Sequence, residues 1–218
     1  RGLGDVYKRQ VMDSGKIFKA LNQIKTSIDQ HKDEIEKLDQ EIGDGDHIFN
    51  IQRGIKESLD LKDELRDQPP NEVLKKIGMK IMTTVGGSSG ALFATLLIGM
   101  AKRYKDELSD QKNVAKMFGE GVEAMKKRGK ADLGEKTMLD VLIPVSQELQ
   151  KLSNEKDIKN IAEKIKQTAE KGMLATKDLI ATKGRASFLG ERAKGHIDPG
   201  ARSSQLAIEA ICDTIINA

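Results

Sequence analysis

Seven connections punctuate this sequence, and they come in two chemical kinds that alternate. Asp67-Gln-Pro-Pro-Asn71, Ser109-Asp-Gln-Lys-Asn113 and Ser153-Asn-Glu-Lys156 are short, polar and free of glycine. They read as plain turns closed by helix caps or a first-turn proline. The other four are rich in glycine: Gly43-Asp-Gly-Asp46, Gly86-Gly-Ser-Ser-Gly90, Gly129-Lys-Ala-Asp-Leu-Gly134 and the long segment Lys183–Gly200. Each of these leads into a helix N-terminus. If consecutive helices run antiparallel, every second connection lies at the same end, and the four glycine-rich loops converge there.

The helices are read from periodicity. Apolar residues from Ile17 recur at Leu21, Ile24, Ile28, Ile35, Leu38 and Ile42, spaced by three, four or seven, with room for a break near Asp29–Lys32. Further stretches are expected at about 47–65, 72–84, 89–108, 113–128, 135–151, 157–182 and 201–217, which makes eight in all. No period-two alternation is present. With aromatics at 3% and Ala, Leu, Ile, Lys and Glu dominant, the composition favours an all-α fold. One domain is expected over 11–218. Arg1–Gln10 fits no helical period and reads as a non-native leader.

Charge and cysteine narrow the function classes. A net charge of +3 gives no strong field for nucleic acid, and no stretch approaches the ~18 apolar residues of a membrane span. A single cysteine, Cys212, cannot form an internal disulfide, and this fits a reducing cytoplasm.

Four helix N-termini facing one place, each with unpaired N–H groups and about half a positive charge, make an anion site. A glycine after a helix commonly does no more than end it; the alternation of all four loops favours the functional reading. Asp44 and Asp46 sit two apart between Gly43 and Gly45, with Asp39 at the end of the preceding helix. Three carboxylates so close repel by ~1–4 kcal/mol per pair. A hard divalent cation removes that cost, and the all-oxygen set suits magnesium. An acidic turn with Asp46 capping the next helix explains the pair as well.

Two familiar motifs fail. An EF-hand beginning at Asp44 would meet Ile48 and Ile55 where ligands are needed, and Gly129 to Thr137 carries an extra glutamate before its lysine and follows a helix, not a strand. His47 and Asn50, one turn apart beside the carboxylates, can bond phosphate or ribose, or cap. Ser88 and Ser89 open a helix and can serve either as caps or as phosphate ligands. Arg185 and Arg192 lie in a loop long enough to suggest function. His31 reads as a surface residue and His196 as structural within its loop.

Four motifs in order, Leu38-Asp-x-x-Ile-Gly-Asp-Gly-Asp-His47, Gly86-Gly-Ser-Ser-Gly-Ala-Leu-Phe93, Gly129-Lys-Ala with Lys136-Thr-Met-Leu-Asp140, and Gly184-Arg-Ala-Ser-Phe-Leu-Gly-Glu-Arg192 with Gly195-His-Ile-Asp-Pro-Gly-Ala201, resemble the nucleotide-binding L subunits of dihydroxyacetone kinases. The match runs from about residue 14 to the C-terminus. The resemblance implies a closed up-and-down barrel of eight antiparallel helices with nucleotide and two magnesium ions at one rim. It implies metal binding by Asp39, Asp44 and Asp46, and ADP or ATP contacts by His47, Asn50, Ser88, Ser89, Gly129, Met138, Arg185, Asp198, Pro199 and Gly200. Ile48-Phe49 replace the glycine that usually follows the motif histidine, which puts the contact there in question.

The implied reaction is phosphoryl transfer to dihydroxyacetone held covalently by a histidine of a separate K subunit. No catalytic nucleophile is expected on this chain, which ends without a fused sugar-binding domain. A phosphocarrier of the phosphotransferase system is the expected source of phosphate for bound ADP. An ATP-dependent kinase subunit for another short ketose, and a nucleotide-sensing coregulator of a transcription factor, are the alternatives.

Overall fold

A computed structural model describes residues 12–217; Arg1–Gln10, expected to be a non-native leader, lie outside the described residues. Within them the chain is all-helical, with no β-strand. The elements are α1 (Ser14–Gln30), α2 (Lys32–Ile42), α3 (His47–Leu59), α4 (Pro70–Thr84), α5 (Gly87–Arg103), α6 (Asp110–Gly129), α7 (Leu139–Lys151), α8 (Ile158–Ala175) and α9 (Pro199–Ile216). The expected first helix is thus two, broken at His31 inside the expected window. Short 3-10 segments at Thr176–Asp178 and Arg185–Ala193 bridge α8 and α9.

Four expected helices overran the observed ones. α3 ends at Leu59, because residues 60–67 form turns that bury Leu65 against Phe18; an anchoring leucine mimicked the helical period. α5 stops at Arg103, where Tyr104 turns extended. The buried Asn113 side chain then grips the backbone of Lys105, accepting from its N–H at 3.0 Å and donating to its carbonyl at 2.6 Å. α7 begins at Leu139 rather than near 135. The Asp140 carboxylate accepts from the N–H of Gly134 (2.5 Å) and Thr137 (2.7 Å), holding that backbone in a loop. α8 ends at Ala175, short of 182.

Consecutive helices from α3 onward pack side by side, α1 packs on α3, and α9 returns to α1. With few aromatics to fill wide gaps, the helices approach through glycine. A Cβ on Gly99 of α5 would lie 2.9 Å from Gly121 Cα of α6, and one on Gly78 of α4 would lie 3.0 Å from the Ala94 carbonyl of α5. The largest buried cluster joins α5 to α9 through Met125, Val141, Val145, Ala169 and Ile208. A second cluster sets Phe18 among Val73, Ile77 and Ala94. No described helix is long and apolar enough to cross a membrane.

All four glycine-rich loops meet. Asp44 pairs with Arg185, the Asn50 side chain faces Gly87, and Lys136 bonds the carbonyl of His196. Among the plain turns, Leu108 and Lys112 share a groove with Ser153 and Asn154.

Candidate metal and nucleotide site

The α2–α3 loop folds around Asp39. Its carboxylate is buried and accepts the N–H of His47 at 3.0 Å, so it caps α3 from eight residues away. Asp46 holds the N-cap position but makes no side-chain cap bond there. The capping alternative for Asp46 is therefore not what this loop does. Gly43 donates its N–H to the Asp39 carbonyl at 2.6 Å, and a Cβ on it would collide with the Asp39 carboxylate oxygen Oδ1. Gly45 adopts φ +78°, where a side chain is strained. These two glycines turn Asp44 and Asp46 back toward Asp39, and carboxylate oxygens from all three lie within 4.8 Å of one another. The only ion pair to this set among the described residues is Arg185 Nε to Asp44 Oδ2, at 3.0 Å. Three acidic groups with one exposed cationic partner fit the chemistry of a hard, oxygen-preferring divalent ion.

His47 is buried under the carboxylates, its Nε2 3.0 Å from Ser203 Oγ on α9. The Ser203 hydroxyl also lies 3.1 Å from the Gly200 carbonyl, so it links the ring to the start of α9. Burial pushes the His47 pKa down, outweighing the pull of Asp39 and Asp46. One turn along α3, the buried Asn50 Nδ2 has no hydrogen-bond partner, and a Cβ on Gly87 would stand 2.8 Å from it. A buried donor left unpaired is costly, so this amide points to a missing acceptor. Neither residue of the departure enters this space: Ile48 is buried with Ile28, Ile35, Ile55 and Leu206, and Phe49 is exposed beneath the Lys32 ammonium.

Ser88 and Ser89 are not caps. α5 begins at Gly87 (φ +76°) with Gly86 as N-cap, and no side chain bonds its first N–H groups. Ser89 is buried and Ser88 exposed. The end of α5 beside Asn50 thus presents backbone donors and a hydroxyl, the usual equipment for phosphate.

On the far side stand Gly129, Met138 and Asp198-Pro199-Gly200. Gly129 ends α6, and a Cβ there would lie 3.2 Å from Leu92. Met138 touches Gly200, whose Cβ would stand 3.3 Å from its terminal methyl. Asp198 caps α9 by accepting from Ala201 N at 2.8 Å, and burial raises its pKa to about 7. His196 bonds Glu41 at 2.8 Å, tying its loop to α2. His31, expected on the surface, is half-buried at the α1–α2 break with Nδ1 2.8 Å from the Ser27 carbonyl.

Sequence reasoning missed Asp140, Thr176 and Ser203, which hold the site's walls from behind. Their signal is weak, since a Ser, Thr or Asp beside a helix end has many ordinary uses. A concavity of about 690 Å³ along α6 and α7, from Arg103 to Asn154, contains none of the site residues. A shallower one of about 410 Å³ borders the Gly129 loop at Lys130–Asp132.

Comparisons with known proteins identify the family. Residues 41–213 match the DAK2 domain. The chain is 40% identical over 200 residues to the ADP-binding subunit DhaL of PEP-dependent dihydroxyacetone kinase 1 from Listeria innocua, covering 90% of this chain and 94% of that protein. It is 38% identical over 176 residues to the corresponding Escherichia coli subunit, covering 80% and 84%. In fold it is similar to the dihydroxyacetone kinase of C. freundii crystallised with AMP-PNP and Mg2+, at TM-score 0.68 and 22% identity, over 90% of this chain and 33% of that one. By motif, sequence and fold, this chain belongs to the DAK2 family, alongside the DhaL subunits of dihydroxyacetone kinases.

Proposed function

We propose that this chain is the nucleotide-holding subunit of a dihydroxyacetone kinase, which presents ADP or ATP with magnesium to a substrate held by a separate K subunit. The observation that carries the reading is the convergence of the Asp39, Asp44 and Asp46 carboxylates beside an unpaired Asn50 amide and the bare N-terminus of α5. The three aspartates would hold a pair of magnesium ions, which neutralise charge on the transferring phosphoryl group when bound. Asn50, Ser88 and Ser89 then donate to phosphate oxygens, His47 lines the acidic side, and Gly129, Met138 and Asp198-Pro199-Gly200 wall the base and ribose. Arg185, exposed and within reach of Asp44, is placed to exchange that carboxylate for phosphate. We read the run of neighbouring helices, with α9 returned to α1, as the closed eight-member barrel expected of the family, α1 and α2 counting as one stave.

Positioning and charge neutralisation are most of what phosphoryl transfer requires, so no nucleophile is needed on this chain. The phosphoryl source in this reading is a phosphocarrier of the phosphotransferase system acting on resident ADP, as in relatives named PEP-dependent or PTS-dependent dihydroxyacetone kinases. A cytoplasmic location follows from that system. The test is to purify the chain, identify the nucleotide that accompanies it, and titrate Mg2+ and ADP by calorimetry. Tight, magnesium-dependent binding is expected; no binding of ADP or ATP with magnesium would overturn the reading.

A further inference from the structure

Lys136 is the most deeply buried charged residue that the reading above does not use. It is 1% exposed and adopts φ +60°, a conformation that few non-glycine residues accept. Its ammonium donates to two backbone carbonyls, that of Thr176 and, at 2.5 Å, that of His196. Burial pushes its pKa down, opposed by the charges of Asp198, Asp178 and Asp140. A lone ammonium in such a place is costly, and it is tolerated only where donors are matched by acceptors.

The acceptors are informative because of where they lie. Thr176 is fully buried; its hydroxyl donates to Met173 O at 2.7 Å and accepts from Asp198 N at 3.0 Å. His196 lies two residues before Asp198. The ammonium therefore fastens both segments that set the start of α9. On its own side, Lys136 lies two residues before Met138, whose methyl touches Gly200. The Asp140 carboxylate clamps the backbone on both sides of Lys136, at Gly134 and Thr137. One charged group thus joins the Met138 loop to the Asp198-Pro199-Gly200 turn. The ammonium itself bonds neither the carboxylates nor the N-terminus of α5.

We propose that Lys136 is a positioning residue for the base and ribose of the nucleotide, fixing the separation between Met138 and the Asp198-Pro199-Gly200 turn. The inference rests on the nucleotide reading given above. It gives the two halves of the site different main supports: a phosphate and metal half built on α2, α3 and α5, and a nucleoside half latched by Lys136, the two joined through His196–Glu41 and His47–Ser203. A purely structural lysine would support both halves alike, through the fold.

The division is testable with two probes. Calorimetry would compare Mg2+-ADP with Mg2+-tripolyphosphate, which has the phosphate charge and no nucleoside, in wild type, Lys136→Met and Lys136→Gln. Methionine keeps the length and removes the donor; glutamine keeps one neutral donor and guards against a variant that does not fold. The ratio of ADP to tripolyphosphate affinity should fall by about tenfold or more in Lys136→Met, as for loss of a charged donor. It should fall less in Lys136→Gln. An unchanged ratio, whether both affinities drop together or neither does, would overturn the proposal, and so would failure of both variants to fold. A wild-type chain that binds no Mg2+-ADP would instead overturn the nucleotide reading itself.

Discussion

At the scale of single residues, the proposed site depends on carboxylates brought close together. If Asp44 and Asp46 bind metal, replacing either with asparagine leaves phosphate facing the remaining carboxylates with less cation between them. Mg2+-ADP affinity should drop by at least about tenfold in Asp44→Asn and in Asp46→Asn, with helical circular dichroism unchanged. Unchanged calorimetric affinity in both would remove the metal assignment. Asp198 makes a different kind of prediction. Burial raises its carboxyl to about 7, far above the ~4 of an unfolded chain. Between those values the folded chain keeps a proton that the unfolded chain has lost. Its contribution is therefore fully present below the unfolded value and disappears as pH rises to the folded one, at up to ~1.4 kcal/mol per pH unit. Asp198→Asn keeps a capping oxygen and cannot ionise. Urea unfolding of the nucleotide-free protein should show the variant gaining on wild type from about pH 5 to about pH 7; parallel profiles would contradict the assignment.

At the scale of elements, the contact between α7 and α8 shows how a helix pair can aim a loop. Pro144 sits inside α7, four residues after Asp140, and lacks the N–H that would bond the Asp140 carbonyl. α8 uses that space: a Cβ on Gly172 would collide with the Asp140 carbonyl and stand 3.1 Å from Val141 Cα. The same Asp140 holds the loop at Gly134 and Thr137 with its side chain. Gly172→Ala should therefore cost about 1–3 kcal/mol by overpacking and lower the melting temperature by several degrees. It should also weaken ADP binding, since Met138 is the N-cap residue of α7. Calorimetric melting equal to wild type would mean that α8 can shift without loss.

At the scale of the whole molecule, the question is whether one chain can do the chemistry. Each of the three histidines is already engaged: His31 with the Ser27 carbonyl, His47 with Ser203 and His196 with Glu41. None is free to hold a triose covalently, and so small a ligand offers few groups for noncovalent grip. The isolated chain with Mg2+, ATP and dihydroxyacetone should show no turnover above background. Adding a K subunit, with a phosphocarrier and its phosphodonor if ADP does not exchange, should restore it. Robust turnover by the chain alone would place the acceptor site here after all.

What the amino-acid sequence determined by itself is what depends on near neighbours. Apolar spacing set the helices, and glycine flanking Asp44 and Asp46 marked the carboxylate loop, because both signals are local in the chain. Helix ends were read less well where a distant or unusual partner decides them, as Asn113 does for Lys105 and Asp140 for Gly134. Tertiary structure alone decided the rest. It made Asp39, not Asp46, the cap of α3. It sent Ile48 into the core and Phe49 outward, left the Asn50 amide unpaired, and buried Lys136 between two carbonyls. Those outcomes turn on which groups lose water and which acceptors come within reach, and groups 40 to 156 residues apart along the chain are brought together only by packing.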